Sequence, residues 1–362
     1  METDSHQTKP LAVQKGRGAL SNLESRFVNV RTETVDDGWY QKDATEAAST
    51  NTEFFADATK TLITRNKSPD VPFDRSINAY KGCEHGCIYC FARPTHAFLD
   101  LSPGLDFETK IFYKTQVAEC LTSELAKPRY SCAPIAMGTN TDPYQPIEKT
   151  ERITRKILEI LLDHKHPCTL VTKSTLILRD LDLLSELAKH NLVTVMISMT
   201  SLDNKLKVTL EPRTASAGGR LRTLRELIEA GIPTGVLMAP IIPCINDSEM
   251  EAIVDACFDQ GARVFRYVLL RLPREVSGLF REWLAQHYPD RAQKVMSVVR
   301  ETRGGKDYSS QWHQRRTGEG AFAELIRHRF KLALRRHGIQ DEELPELDCS
   351  LFKVPTPQGS LF

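Results

Sequence analysis

The chain has 362 residues, 41% of them hydrophobic, which suffices for one large domain with extensions. Its 48 Lys and Arg against 47 Asp and Glu leave a net charge of +1, so bulk charge argues neither for nor against a nucleic-acid partner. No apolar run approaches the ~18 residues of a membrane span. The polar start, Met1-Glu2-Thr3-Asp4-Ser5-His6, lacks the apolar core of a secretory signal, which points to the cytoplasm.

Taken in order, residues 1–70 are polar and weakly periodic, and an extended or partly disordered arm is expected there. Within it Gly16-Arg17-Gly18-Ala19 has the small residues needed to pack on a body. From 71 to 270 short apolar runs alternate with amphipathic stretches. Strands are expected near Ser76–Tyr80, Pro134–Thr139, Cys168–Lys173, Leu192–Ser198, Thr234–Ala239 and Val264–Leu269. Their Val, Ile and Leu content suits parallel strands buried on both faces. Between them, Ile153, Ile157, Ile160 and Leu161 keep helical spacing, as do Leu221, Leu224, Leu227 and Ile228. His190-Asn191, Gly231-Ile232-Pro233 and Gln260-Gly261 mark the stops. Six such repeats predict an α/β fold, a partial (β/α)6 barrel, with an open doubly wound sheet as the alternative. Either way, chemistry belongs at the C-terminal ends of the strands.

Residues 271–343 read as a helical basic extension ending in an amphipathic helix near Gly320–His337. Lys306, Arg315, Arg316, Arg327, Arg329, Lys331, Arg335 and Arg336 face only Asp307, Glu319 and Glu324 between Gly304 and Gly338. Such a block is either a solvated helix face or a track for phosphates. The proline-containing stretch 344–362 reads as a flexible tail.

One motif carries the chemistry. Cys83, Cys87 and Cys90 lie in Gly82-Cys83-Glu84-His85-Gly86-Cys87-Ile88-Tyr89-Cys90-Phe91, directly after the first strand. A [4Fe–4S] cube takes one thiolate per iron, so three clustered cysteines leave one iron open to a small molecule. Gly82 and Gly86 let the backbone approach closely. Zinc would want a fourth ligand, usually from a second pair; His85 and His96 are nearby, but no second Cys pair follows. The other six cysteines (Cys120, Cys132, Cys168, Cys244, Cys257 and Cys349) are scattered and read as small buried side chains.

The Cys-x3-Cys-x2-Cys loop, with an aromatic residue between its last two cysteines, resembles the radical S-adenosylmethionine (SAM) enzymes. The stretch Gly82 to Arg93, with Thr141-Asp142-Pro143-Tyr144-Gln145-Pro146 and Ala239-Pro240-Ile241-Ile242-Pro243, is similar to the spore photoproduct lyase-like branch. The resemblance implies a [4Fe–4S] cluster on Cys83, Cys87 and Cys90, SAM on the open iron, and a reductant such as flavodoxin or ferredoxin. It implies a lyase- or repair-type reaction in which a 5′-deoxyadenosyl radical takes hydrogen from substrate. SAM contacts carried over by position are Tyr89, Thr141, Asp142, Lys173, Ser198 and Arg213; no catalytic residue beyond these is assigned. The sequence departs from the branch at Thr139, where spore photoproduct lyase has a hydrogen-donating cysteine. An O–H bond is far harder to homolyse than S–H, so spore photoproduct repair is not expected.

The terminal Gln358-Gly359-Ser360-Leu361-Phe362 resembles the pentapeptides that dock on the sliding DNA clamp, with Leu361 and Phe362 entering an apolar groove and Gln358 at its rim. That would suit a DNA lesion or modified nucleic acid as substrate. A competing expectation is a non-catalytic Fe–S or zinc DNA-binding factor recruited to the clamp.

Overall fold

The computed structural model describes residues 14–23, 26–27, 51–340 and 342–355. Among the described residues, ten strands form two sheets. They are β1 (Glu53–Asp57), β2 (Ile63–Arg65), β3 (Arg75–Ile77), β4 (Tyr80–Lys81), β5 (Lys110–Lys114), β6 (Ile135–Met137), β7 (Cys168–Thr172), β8 (Val193–Ser198), β9 (Thr234–Ile241) and β10 (Phe265–Leu269).

The larger sheet runs β10-β9-β8-β7-β6-β3-β2. Its six expected strands are all present and mutually parallel, from β3 through β10. Strand β2 adds an antiparallel edge. The buried positions of β7 and β8 include Cys168, Leu170, Val193, Val195 and Ile197, the near-continuous apolar content of strands covered on both faces. Helices Ile153–Asp163, Leu181–Lys189, Ala217–Glu229 and Met250–Asp259 form the cover. The helix Ile153–Asp163 turns Ile153, Ile157, Leu158 and Leu161 inward, as its spacing dictates. This is the expected partial (β/α)6 barrel.

The first expected strand breaks in two. After Ile77 the chain leaves the barrel, and Tyr80–Lys81 pairs with β5 in a three-stranded sheet of order β1-β5-β4. Asn78 occupies the break and accepts from the Asn140 amide at 3.1 Å, tying the ends of β3 and β6 together. Within 1–70, expected as an extended or partly disordered arm, strand β1 is extended and paired; it gains its partner only when β5 arrives from 57 residues further along. Other described residues of that arm are fixed too. Ala19 and Leu20 are buried, and Ser102 Oγ donates to the Leu23 carbonyl at 2.6 Å.

The extension consists of helices Glu275–His287, Pro289–Glu301 and Gly320–Arg336. Trp283, fully buried, stacks on Phe280 and anchors a second apolar cluster that runs beneath the cysteine loop. Part of the basic block is neutralised by internal ion pairs. Arg329 pairs with Glu251 at 2.6 Å, His337 with Asp255 at 2.6 Å, and Arg315 with Asp70. Residues 344–355 correct another expectation, because they are docked rather than flexible. The Asp348 amide donates to the Asn191 carbonyl at 3.0 Å and the Lys353 amide to that of His164 at 2.8 Å. Phe352 packs edge-on to His166 at 5.1 Å and against Tyr130. His164 and Asn191 precede β7 and β8, so this stretch closes the end of the barrel opposite the cysteine loop. Gln358, Leu361 and Phe362 lie outside the described residues. No described helix is long and apolar enough to cross a membrane.

Because Phe352 is the apolar anchor of the docked stretch, Phe352→Ala is expected to destabilise the fold by about 1–3 kcal/mol in urea unfolding, whereas a free tail would give no change.

Candidate active site

The cysteine loop follows β4 and lies over the C-terminal mouth of the barrel. Two buried charge clusters hold it. In the first, Arg93 is fully buried three residues after Cys90. Its guanidinium donates to the carbonyls of Cys87 at 2.9 Å, Gly86 at 3.1 Å and Gly104 at 2.9 Å, and pairs with Glu108 at 2.5 Å. The Glu108 carboxylate also accepts from the amides of Gly18 at 3.0 Å and Ala19 at 2.9 Å. The arm therefore lies directly on the loop. Gly86 has φ +66°, and a Cβ there would sit 2.7 Å from Glu108 Oε2. A Cβ on Gly18 would come within 1.9 Å of the Gly86 carbonyl oxygen. Both glycines are required for this contact.

The second anchor is the segment after β6. The Glu84 amide donates to Gln145 Oε1 at 3.0 Å, and Gln145 Nε2 donates to the Gly82 carbonyl at 3.2 Å. Glu84 in turn accepts from the Ile147 amide at 3.0 Å and pairs with Arg213 at 3.2 Å.

The three thiols inside this loop are close enough to feel one another's charge. Burial pushes the Cys87 thiol up to about 12, with Glu211 adding to the rise, and raises Cys83 and Cys90 as well. Thiolates in so dry a place are stable only when bonded to a cation. Among the described residues no three His, Cys, Asp or Glu side chains converge as the ligands of one ion would. A cube asks for something else: thiolates spread so that each meets a different iron. The loop fits that group on chemistry and on dryness.

Beside the cysteines, the ends of β7, β8 and the segment after β8 meet. Lys173 Nζ donates to Ser198 Oγ at 2.9 Å, stands 3.8 Å from Glu211 and lies 5.8 Å from the centre of the Tyr89 ring. Three residues expected from sequence, Tyr89, Lys173 and Ser198, thus converge. Their hub, Glu211, is not among the expected residues. It accepts from the Tyr89 hydroxyl, from Thr200 Oγ1 at 2.7 Å and from the fully buried Arg220. Burial alone would push the Glu211 carboxyl up, but Arg220 and Lys173 outweigh it and hold it at about 2. Arg220 also donates to the carbonyls of Ser198 at 2.9 Å and Ala215 at 3.0 Å. The run Leu210-Glu211-Pro212-Arg213 is visible in the sequence, but its carboxylate, not its arginine, reaches the centre of the cluster.

Thr141 and Asp142 sit at the expected strand end but serve the scaffold. Thr141 Oγ1 donates to the Tyr80 carbonyl at 3.2 Å. Asp142 accepts from Thr172 Oγ1 at 2.7 Å, the Lys173 amide at 2.8 Å and the Tyr144 amide at 2.8 Å, and faces His85 at 3.4 Å. Burial would raise its carboxyl; His85 and these donors overcome that and hold it at about 2. Arg213 pairs with Glu84 and donates to Thr52 Oγ1 at 3.2 Å, at the outer edge of the cluster. Thr139 Oγ1 reaches only Asn78, at 3.4 Å.

With this geometry in place, comparison with known proteins is decisive. The family model for the radical SAM superfamily matches residues 77–257, half of the chain. The chain belongs to the radical SAM superfamily. Its cofactors are therefore a [4Fe–4S] cluster and SAM. It is 35% identical over 240 residues to an uncharacterised protein of Mycobacterium tuberculosis, spanning 65% of this chain and 71% of that one. It is 30% identical over 214 residues to an uncharacterised protein of Methanocaldococcus jannaschii, spanning 59% and 76%. Its fold is similar to that of spore photoproduct lyase complexed with dinucleoside spore photoproduct, at a TM-score of 0.56, 15% identity and 80% coverage of each chain.

Two outcomes follow from the site. Arg93→Met leaves Glu108 buried without its cation and is expected to cost about 3–5 kcal/mol; iron bound per chain after anaerobic reconstitution should fall with it. Asp142 and Glu211 have folded pKa values below their unfolded ones, so their stabilisation is present above about pH 4–5 and lost as pH falls towards 2. Glu211→Gln should lower the stability of the metal-free protein at pH 7 and flatten its decline across that acid window in denaturant titrations.

Proposed function

We propose that this radical SAM protein is a catalyst acting on a nucleic-acid component, a lesion or a modified base. The observation that carries the catalytic reading is the loop of three dry thiols set against a paired cation and carboxylate at the strand ends. Held by Cys83, Cys87 and Cys90, a [4Fe–4S] cluster would supply the electron for reductive cleavage of SAM, chemistry suited to abstracting a hydrogen atom from substrate.

The chain's own residues have separable tasks. Cys83, Cys87 and Cys90 hold the cluster and leave one iron open. Lys173 is the cation suited to the SAM carboxylate, and Glu211 the anion suited to its ammonium group. Ser198 and Thr200 fix the two charges relative to each other. Tyr89 offers an apolar ring face beside the cysteines while its hydroxyl is held by Glu211. Arg220 keeps Glu211 ionised, so the carboxylate is ready before any ligand arrives. The apolar cluster containing Cys87, Ile88 and Tyr89 excludes water, which protects a radical from quenching.

The nucleic-acid reading rests on the fold's likeness to a lyase complexed with a dinucleoside photoproduct, and on the sequence of the last five residues. Thr139 lacks the weak S–H bond that would reduce a product radical, so the reaction differs from spore photoproduct reversal. A one-electron donor of the flavodoxin or ferredoxin type in the cytoplasm would serve it. Gln358, Leu361 and Phe362 would bring it to the sliding clamp, which a pull-down comparing the full chain with one ending at Pro357 tests.

Anaerobically reconstituted protein with dithionite and SAM is expected to form 5′-deoxyadenosine, and Cys83→Ala to form none; equal yields from the two would refute catalysis. Lys173→Met should weaken SAM binding by about tenfold or more, seen by calorimetry. The dinucleoside spore photoproduct is expected to pass through the same incubation unchanged.

A further inference from the structure

Three arginines on the β10 side of the mouth, Arg271, Arg303 and Arg316, make no ion pair among the described residues. Arg271 lies two residues past β10. Its guanidinium stands 4.9 Å from the ring centre of Phe91, the residue next to Cys90. Its Nε is buried without a partner, and no carboxylate among the described residues pairs with it. Arg303 is 3% exposed. It donates to the carbonyls of Leu270 at 2.8 Å, Leu269 at 3.3 Å and Gln314 at 2.8 Å, and its Nε has no partner. Arg316, half-buried, donates to the Asp70 carbonyl oxygen. The Asp70 carboxylate is already taken by Arg315 and by the His313 amide.

Arg271 disfavours the charge on both of its neighbours, and Glu319 and Asp70 offset this only in part. Burial and the nearby Arg271 depress Arg303 to about 10, and the same two causes lower Arg316. Carbonyl dipoles hold these guanidinium groups in place but do not cancel their charge. Like charges kept together in a half-dry pocket are unfavourable unless an anion joins them. A planar guanidinium pairs best with a carboxylate or a phosphate. Two aromatic side chains nearby are exposed: Phe91 at 47%, under Arg271, and Trp312 at 58%, next to His313, whose amide shares Asp70 with Arg316. Flat aromatic rings beside arginines suit a base attached to a phosphate.

We propose that Arg271 and Arg316, backed by Arg303, form a phosphate site for a nucleotide unit of the substrate, placed next to the cysteine loop, with Phe91 and Trp312 as stacking surfaces. This rests on the nucleic-acid reading above and gives that reading a location. Within the basic block seen in the sequence, Arg315, Arg329 and Arg336 are spent on internal ion pairs. At the mouth itself the charge comes from Arg271, which lies outside that block, together with Arg303 and Arg316.

Arg271→Gln is the informative change, because the side chain lies at the rim of the mouth and is not tied to a backbone carbonyl as Arg303 is. The probes are a fluorescein-labelled single-stranded oligodeoxynucleotide and a labelled nucleoside monophosphate, read by anisotropy against reconstituted full-length protein with SAM. The expected result is about a tenfold rise in the oligonucleotide Kd, with the salt slope smaller by about one. Arg271→Lys should recover most of the loss, and Arg335→Gln, on the last helix, should change nothing. A matching loss with the monophosphate supports the site and assigns it to free nucleotide; a loss confined to the oligonucleotide supports it as a strand site. Unchanged binding of both probes by a folded Arg271→Gln protein, or equal loss in Arg335→Gln, overturns the proposal. Formation of 5′-deoxyadenosine by the wild type in the absence of nucleic acid reports separately on the catalytic reading, so either can fail alone.

Discussion

The buried pair of Arg93 and Glu108 is the constraint on which the site depends. Three thiolates can share a cube only if the loop that carries them is held in one shape, and this loop is short of regular structure of its own. Arg93 supplies what a helix or strand would otherwise supply, by donating to the carbonyls of Gly86 and Cys87. Glu108 neutralises that cation and uses its remaining acceptor capacity on the amides of Gly18 and Ala19. One ion pair thereby fastens the cysteine loop, the turn at residues 103–108 and a segment from near the start of the chain. A charge pair this dry is costly to assemble and more costly to break, which favours a single loop geometry.

A second buried carboxylate, Glu211, organises the ligand side of the mouth. It joins Tyr89 from the loop, Lys173 and Ser198 from the strand ends, Thr200 beyond β8, and Arg220 from the covering helix. These dipoles and charges are held in one arrangement by the protein's own contacts. Asp142, at the end of a neighbouring strand, has a comparable role and spends its acceptors on Thr172, Tyr144 and the Lys173 backbone. It thereby sets the direction in which Lys173 leaves its strand.

Charge elsewhere is divided by the same logic. On the outer helices, arginines meet carboxylates at ordinary ion-pair distances and sit on well-solvated faces. At the mouth, Arg303 and Arg316 meet carbonyl oxygens and Arg271 an aromatic ring. A net charge of +1 for the whole chain hides this separation.

The barrel was legible in the sequence because a parallel strand covered on both faces and an amphipathic helix each leave a local pattern. The runs at 168–173, 192–198 and 234–239 and the helix around Ile157 appear where their periods put them. The cysteine loop, Tyr89 included, was legible because its cysteines lie within eight residues, and the positions of Lys173 and Ser198 because strand ends can be located from strand cores; their assignment to SAM came from the resemblance alone. Strand β1 was not legible, since its partner is 57 residues away. Glu211 looked like a loop carboxylate, and Phe352 like a residue of a loose tail. Arg271 was indistinguishable from any other surface arginine. Periodicity and ligand spacing are properties of neighbours along the chain, so the sequence determined the barrel, its loop of thiols and the family. Which charges end up paired in a dry interior depends on residues brought together from distant positions, and only the tertiary structure decided that.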